Sequence, residues 1–291
     1  MVISLAHLGP VGTNAETAAL AYAHWLEKTQ AKSCLLCPCP SIAQTLHSVA
    51  QGDTKKAVVP VENSTEGSVA CTLDTLWKLD HLKIQQELVL PIIHALFSRG
   101  SSINGIKTVY SHPQALAQCQ RWLQEHLPDI ALIPTNSTAE ALDKISLEPT
   151  AGAIAAPRAA KLYNVPILAN HINDYPDNCT RFWVMTLDPT PTVSSRISLA
   201  FSVSENVPGS LMKPLQVFSE RNINLSRIES RPTKRSLGEY LFYLDIEGNH
   251  EDPNIINALD ALTHHTEIIK IYGSYPVWFL EETTLDNFKN W

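Results

Sequence analysis

The chain has 291 residues, 44% of them apolar and 18% charged, with a formal net charge of −7. That length accommodates two domains, and the composition is that of an ordinary globular protein. The acidic balance argues against non-specific nucleic-acid binding and a polybasic membrane patch, and no apolar run approaches the roughly 20 residues of a membrane span.

In chain order, Met1-Val2-Ile3-Ser4-Leu5 has no basic n-region and runs into a strand over Val2 to Leu8. No secretory leader is therefore expected, and the six cysteines read as reduced thiols of a cytoplasmic chain. The loop Gly9-Pro10-Val11-Gly12-Thr13 leads to an amphipathic helix from Asn14 to about Lys28. A short strand at Leu35-Leu36 and a helix over Ile42 to Ala50 follow. Val58 to Val61 is a buried strand, Leu73 to Leu79 is helical, and Leu88 to Phe97 is one long β-rich run. Thr108-Val109-Tyr110 leads through Ser111-His112-Pro113-Gln114 into a helix reaching Trp122. Thr135 to Thr138 caps a helix ending near Ile145, Ala153-Ile154-Ala155 is a strand, and Arg158 to Tyr163 is helical. This alternation predicts parallel sheets with helical covers, in two α/β lobes around a cleft.

The Pro- and Thr-rich stretch Asp188 to Thr192 breaks the pattern and reads as a linker. Beyond it come a strand over Ile197 to Val203, a helix opened by Pro208-Gly209-Ser210, and strands over Ile223 to Glu229 and Tyr240 to Ile246. A helix over Ile255 to Leu262 and a strand over Ile268 to Tyr272 complete β-α-β-β-α-β, the ferredoxin-like order. The expected division is 1–190, 195–278 and a polar tail, 279–291, without an element.

Two segments concentrate small polar side chains where an apolar strand meets a loop. Glu62-Asn63-Ser64 closes the strand Val58 to Val61, and Asn178-Cys179-Thr180-Arg181 opens the apolar run Phe182 to Met185. In open α/β sheets ligands bind outside the carboxyl ends of the strands. A carboxylate, an amide, hydroxyls and a guanidinium could converge there on a small anionic substrate. Gly9 to Thr13 is either an anion-holding loop at a helix start or a plain tight turn. It lacks the third glycine of a dinucleotide fingerprint, and no phosphate-loop Gly-Lys-Ser/Thr is present. Ser111 to Gln114 and Ser137-Thr138 also read as helix caps. Cys34, Cys37 and Cys39 have no partner pair for a zinc site, so no metal is expected. His264-His265 reads as a solvated helix face.

These motifs, in this order, resemble prephenate dehydratase, with a C-terminal region similar to an ACT domain. Gly9 to Thr13, Pro60 to Ser64 with Gly67, Ser111 to Leu116 with Gln118-Cys119, Ser137-Thr138-Ala139 and Thr180-Arg181-Phe182 carry the first resemblance. Glu205 to Leu211 and Glu229-Ser230-Arg231-Pro232 carry the second. The sequence departs from the family pattern at Ser210, at Asn14-Ala15 and at Ala156. The resemblance implies a periplasmic-binding-protein-like two-lobed domain plus the βαββαβ regulatory domain.

The implied activity is decarboxylative dehydration of prephenate to phenylpyruvate without a cofactor, in L-phenylalanine biosynthesis. Thr180 is then the essential hydroxyl at the leaving group, and Glu62 the alternative acid if burial raises its pKa. Asn63, Ser64 and Gln114 join the catalytic set. Gly12, Thr13, Ser111, His112, Ser137, Thr138, Arg181 and Phe182 join the substrate-binding set. Arg181 either grips a carboxylate or forms a structural ion pair. L-Phenylalanine is expected at Asn206, Pro208, Gly209, Ser210 and Leu211, faced by Glu229, Ser230 and Arg231, in a homodimer or homotetramer. Arogenate dehydratase and a non-catalytic amino-acid-binding regulator are the alternatives.

Overall fold

The computed structural model describes residues 2–145, 148–189, 193–205 and 207–282. Its first sheet is set by strands apolar on both faces, which need cover on both sides. β1 (Ile3–Leu8) is followed by α1 (Asn14–Gln30), β2 (Cys34–Cys39) and α2 (Ile42–Ala50). β3 (Lys56–Asn63), the two-residue β4 (Gly67–Ser68), α3 (Ala70–Lys78) and β5 (Lys83–Pro91) complete this part of the first lobe. Thr13 caps α1, its Oγ1 accepting from the Glu16 N–H. Five alanines of α1 are buried, so the helix lies close under β1, β3 and β5.

The second lobe holds β6 (Ala95–Ser98), β7 (Thr108–Ser111), α4 (Pro113–Ala117), α5 (Gln120–His126) and β8 (Ala131–Pro134). α6 (Thr138–Lys144), β9 (Ala151–Ala155), α7 (Ala159–Tyr163) and β10 (Ile167–Ala169) follow, in sheet order β10-β6-β9-β7-β8. The run expected to be continuous over 88–97 is thus split between two sheets. Pro91, with no N–H to donate, ends β5, and the chain crosses to the other lobe. It returns after β10, in β11 (Cys179–Thr186), which inserts antiparallel between β3 and β5. The sheets are therefore mixed, where alternation alone suggested parallel ones. The helix expected to reach Trp122 is also split, because Gln118 and Cys119 turn inward between α4 and α5 and are buried.

β12 (Arg196–Ser202), α8 (Met212–Ser219), β13 (Leu225–Pro232), β14 (Tyr240–Glu247), α9 (Pro253–Thr263) and β15 (Ile268–Tyr275) form the expected βαββαβ unit. Its antiparallel sheet runs β13-β14-β12-β15. One face buries Leu199, Phe201, Leu244 and Ile246 under α8 and α9. The other presents Ala200, Leu241, Tyr243, Tyr272 and Tyr275 to Val59, Leu73, Trp183 and Met185 of the first lobe. The Tyr243 hydroxyl, buried in this contact, donates to the Leu73 carbonyl at 2.8 Å. The chain then re-enters the first lobe, where β16 (Val277–Phe279) pairs parallel with β5 and Leu280 is buried against the core. The expectation of a tail without an element from residue 279 fails at its first position, because the free edge of β5 recruits it. Residues 283–291 lie outside the described residues. Among the described residues no helix is long and apolar enough to cross a membrane.

Charge reinforces this docking. Arg181, on β11, donates to Glu87 through Nε at 3.0 Å and Nη2 at 2.6 Å, to Glu62 at 2.6 Å and to Asp245 of β14 at 2.6 Å. Arg196 also pairs with Glu87. Glu87 and Asp245 are almost wholly buried. Burial alone would lower the Arg181 pKa, but Asp245 and Glu87 raise it well above its ordinary value. Removing one partner of a buried pair leaves an uncompensated charge and costs about 3–5 kcal/mol. Arg181→Gln should lower the free energy of urea unfolding by about that amount, and a loss below about 1 kcal/mol, the range of exposed pairs, would show that the cluster is solvated.

Candidate active site

β1 and β3 run parallel and side by side, so the loops leaving Leu8 and Asn63 emerge from one edge of the first sheet. β11 is antiparallel to β3 and starts at that edge, with Thr180 directly opposite Asn63. In the second lobe β7, β8 and β9 are mutually parallel, and their carboxyl ends deliver Ser111-His112, Asn136-Ser137 and Ala156 to Arg158. Glu16 of α1 pairs with Arg158 at 2.5 Å, and the Gly12 Cα faces Tyr163 of α7, so the two edges face each other across the cleft.

A closed ring of hydrogen bonds stands at this edge. Asn63 Nδ2 donates to Asn178 Oδ1 (3.0 Å), and Asn178 Nδ2 donates to Gln118 Oε1 (3.0 Å). Gln118 Nε2 donates to Thr65 Oγ1 (2.9 Å), and Thr65 Oγ1 donates back to Asn63 Oδ1 (2.6 Å). Each amide is thereby fixed in orientation, and bonds linked in this way polarise one another. The ring ties lobe one, through Asn63 and Thr65, to lobe two, through Gln118. The second proton of Asn63 Nδ2 goes to Thr180 Oγ1 at 2.9 Å. Ser64 Oγ donates to Asn178 Oδ1 (3.1 Å) and accepts from the Cys179 N–H (3.0 Å).

His94, between β5 and β6, completes the network through Nε2 and Gln118 Oε1, 3.0 Å apart. Gln118 Oε1 is an acceptor here, so Nε2 carries the proton. Burial lowers the His94 pKa below its ordinary value, with the Gln118 bond opposing in part. His94 is therefore a neutral donor at neutral pH.

Asn63, Ser64 and Thr180 meet as expected. Glu62 and Arg181 do not join them, because alternate residues of a strand point to opposite faces. Asn63 and Thr180 face the cleft, while Glu62 and Arg181 pair on the other face, where Arg227 also approaches Glu62 at 3.6 Å. Arg181 is thus structural, and Glu62 is no candidate acid. Phe182 is buried core. Ser111 is buried and donates to the Ile154 carbonyl at 2.7 Å. His112 and Ser137 cap α4 and α6, Thr138 opens α6, and Gln114 is exposed on α4. The buried amide on that segment is Gln118, one turn further on. Sequence reasoning missed Thr65 and His94, and it singled out the motifs holding Asn178 and Gln118 without giving either amide a site role. Their signal was an amide, hydroxyl or imidazole beside an apolar run.

The family model for prephenate dehydratase matches residues 5–190, and that for the ACT domain matches residues 197–264. The chain belongs to the prephenate dehydratase family. It is 41% identical over 96% of its length to a bifunctional chorismate mutase/prephenate dehydratase of Aquifex aeolicus, of which it covers 75%. The prephenate dehydratase of Arthrobacter aurescens, solved in complex with L-Phe, superposes with a TM-score of 0.83 at 34% identity, covering 94% of this chain and 90% of that one. A structure described as GqqA, a novel type of quorum-quenching acylase, superposes with a TM-score of 0.78 at 27% identity, covering 96% and 98%. Family membership makes the chain an enzyme, a carbon–oxygen lyase.

In the ACT domain a cavity of about 310 Å³ lies between the turn Val207 to Ser210, Ser204-Glu205, Lys213 and His264 to Thr266. Pro208 to Leu211 form a turn at Gly209 (φ +88°) rather than the helix start expected there, and α8 begins at Met212. Asn206 lies outside the described residues. Glu229 and Arg231 do not line the cavity. Glu229 accepts from Ser68 Oγ at 3.0 Å and Arg231 pairs with Asp74 at 3.0 Å, both in the first lobe, while Ser230 is exposed. The pair His264-His265 is exposed, as expected of a solvated face, and also borders the cavity.

A buried His with a lowered folded-state pKa favours the unfolded state on protonation. Its contribution to stability is whole above the unfolded pKa, about 6.5, and is lost as pH falls toward the folded value. His94→Asn keeps a donor for Gln118 but does not titrate in that range. Its urea stability should fall less steeply than wild type between pH 7 and 5, with a residual slope from His7, whose pKa is also lowered by burial. An unchanged slope would contradict the neutral, buried His94.

Proposed function

We propose that the chain converts prephenate to phenylpyruvate, the last carbon-skeleton step toward L-phenylalanine, and that L-phenylalanine regulates it. The observation that carries the chemistry is the Asn63–Thr180 hydrogen bond. Asn63 Nδ2 occupies a lone pair of the Thr180 oxygen and holds the side chain in place. The Thr180 O–H is then the donor presented to a leaving hydroxyl. Loss of carbon dioxide and hydroxide together aromatises the ring, so the main catalytic need is a proton or hydrogen bond at a poor leaving group. The amide ring supplies a rigid, uncharged wall. It positions the substrate without tightly holding the carboxylate that must depart as carbon dioxide.

The same bond argues against Thr180 as the nucleophile of an acylase. An activated nucleophile needs a base at its proton, whereas the group bonded to Thr180 Oγ1 is an amide N–H, which cannot accept one.

Three observations support regulation by L-phenylalanine. The ACT cavity has room for an amino acid, Lys213 and Glu205 offer charges to its carboxylate and ammonium, and the Arthrobacter relative was solved with L-Phe. β13 is an open sheet edge, able to pair with a second copy, which makes a homodimer or a larger assembly the expected form. The six free thiols fit a reducing cytoplasm.

Thr180→Ala should lower kcat by about 10²–10⁴-fold, the usual worth of a placed proton donor. KM and melting temperature should change little, because the substituted hydroxyl is bonded to one partner at the end of the network. A kcat within about threefold of wild type, far below that worth, would remove Thr180 from the chemistry.

A further inference from the structure

With Arg181 committed to the far face of the sheet, the carboxylates of a dianionic substrate need another cation. Arg158 follows the carboxyl end of β9, at the lobe-two edge that meets α1 and the Gly9 to Thr13 loop of lobe one. Its Nη1 lies 2.5 Å from Glu16 Oε2, and both side chains are largely buried. The same Glu16 oxygen accepts the Gly12 N–H at 2.8 Å. One carboxylate oxygen thus sits between a guanidinium from lobe two and a backbone donor from the lobe-one loop. A carboxylate ligand would be held by the same two donors.

We propose that Arg158 anchors the substrate carboxylate that is retained in the product, and that Glu16 keeps this position filled until substrate arrives. The inference rests on the dehydratase reading and deepens it. Prephenate has a ring carboxylate, lost as carbon dioxide, and a side-chain carboxylate, kept in phenylpyruvate. Pairing a guanidinium with the departing group would stabilise the ground state and raise the barrier. Pairing it with the retained group binds ground and transition states alike, which lowers KM without opposing the chemistry. Arg158 suits this role because its planar fork can serve two anions at once, so the substrate can approach while Glu16 still holds one nitrogen. Glu16 prevents a buried guanidinium from standing unpaired before binding, at the expense of competing with the ligand. A carboxylate that must be displaced also disfavours ligands lacking an anion at this position, since they leave the pair unrewarded.

The roles of the two residues predict opposite signs, which a merely structural bridge does not. Arg158→Gln should raise KM for prephenate and weaken phenylpyruvate binding in calorimetry by about tenfold or more, the loss expected for a charge-assisted pair, with kcat within about threefold. Glu16→Gln should lower KM and tighten phenylpyruvate binding, because no internal anion competes. Arg158→Lys keeps the charge but loses the fork, and should fall between wild type and Arg158→Gln; it also serves if the glutamine variant does not fold. If Glu16→Gln and the Arg158 variant both raise KM and lower the melting temperature together, the pair is only a structural bridge and the inference is wrong. The inference is equally wrong if the Arg158 variant binds phenylpyruvate as wild type does. A wild-type chain that turns over no prephenate and binds no phenylpyruvate fails earlier, at the dehydratase reading itself.

Discussion

The Arg181 guanidinium is the contact on which the two domains depend. It is drawn from water by the packing of β11, and it is tolerable there only because Glu62, Glu87 and Asp245 are brought to it by β3, β5 and β14. These strands come from parts of the chain far apart in sequence, so the cluster forms only when the first lobe and the ACT domain are docked in register. The next residue back along β11 is Thr180, on the opposite face. The strand that joins the domains is therefore also the strand that presents the candidate catalytic hydroxyl. Whatever moves β14 alters the charge around Arg181 one peptide away from Thr180.

The cleft face follows a different rule. It is built mostly from neutral side chains, Asn63, Asn178, Gln118 and Thr65, in a ring whose members each give and receive. Each of the four ring members is satisfied, as a stabilising buried polar network requires, while the buried Nδ1 of the adjoining His94 has no hydrogen-bond partner among the described residues. The ring spans the two lobes, with His94 at the crossover adding a donor while staying uncharged. The Arg181 charge cluster lies on the docking face, and charge meets the cleft face beside the ring, at Glu66, 3.4 Å from Gln118 Nε2, and at the Arg158–Glu16 pair.

Much of this was legible in the sequence, for physical reasons. Ile42 to Ala50 reads as a helix from its spacing and is found with those bounds. The ferredoxin-like order follows from alternating strands separated by two helical patterns. Asn63 and Thr180 stand out because polar groups at the ends of apolar strands need a purpose. What could not be read depended on tertiary pairing. β8 has every residue exposed and so shows no alternation, and β10 has three residues. β16 is a strand only because β5 offers it an edge. Arg181 is chemically suited to a substrate carboxylate, and only the register of β11 against β3 shows that it faces away. Gln114 and Gln118 differ by one turn of chain, and only the break between α4 and α5 shows which amide turns inward.

The most direct test follows absorbance of phenylpyruvate on mixing the purified chain with prephenate, with arogenate as the parallel substrate, each with and without L-phenylalanine. The account predicts that prephenate is converted without added metal or cofactor and that L-phenylalanine changes the rate. An active chain that makes no phenylpyruvate from prephenate, but phenylalanine from arogenate, would keep the chemistry and overturn the substrate. A folded chain that acts on neither would contradict the role assigned to Thr180 and the ring that holds it.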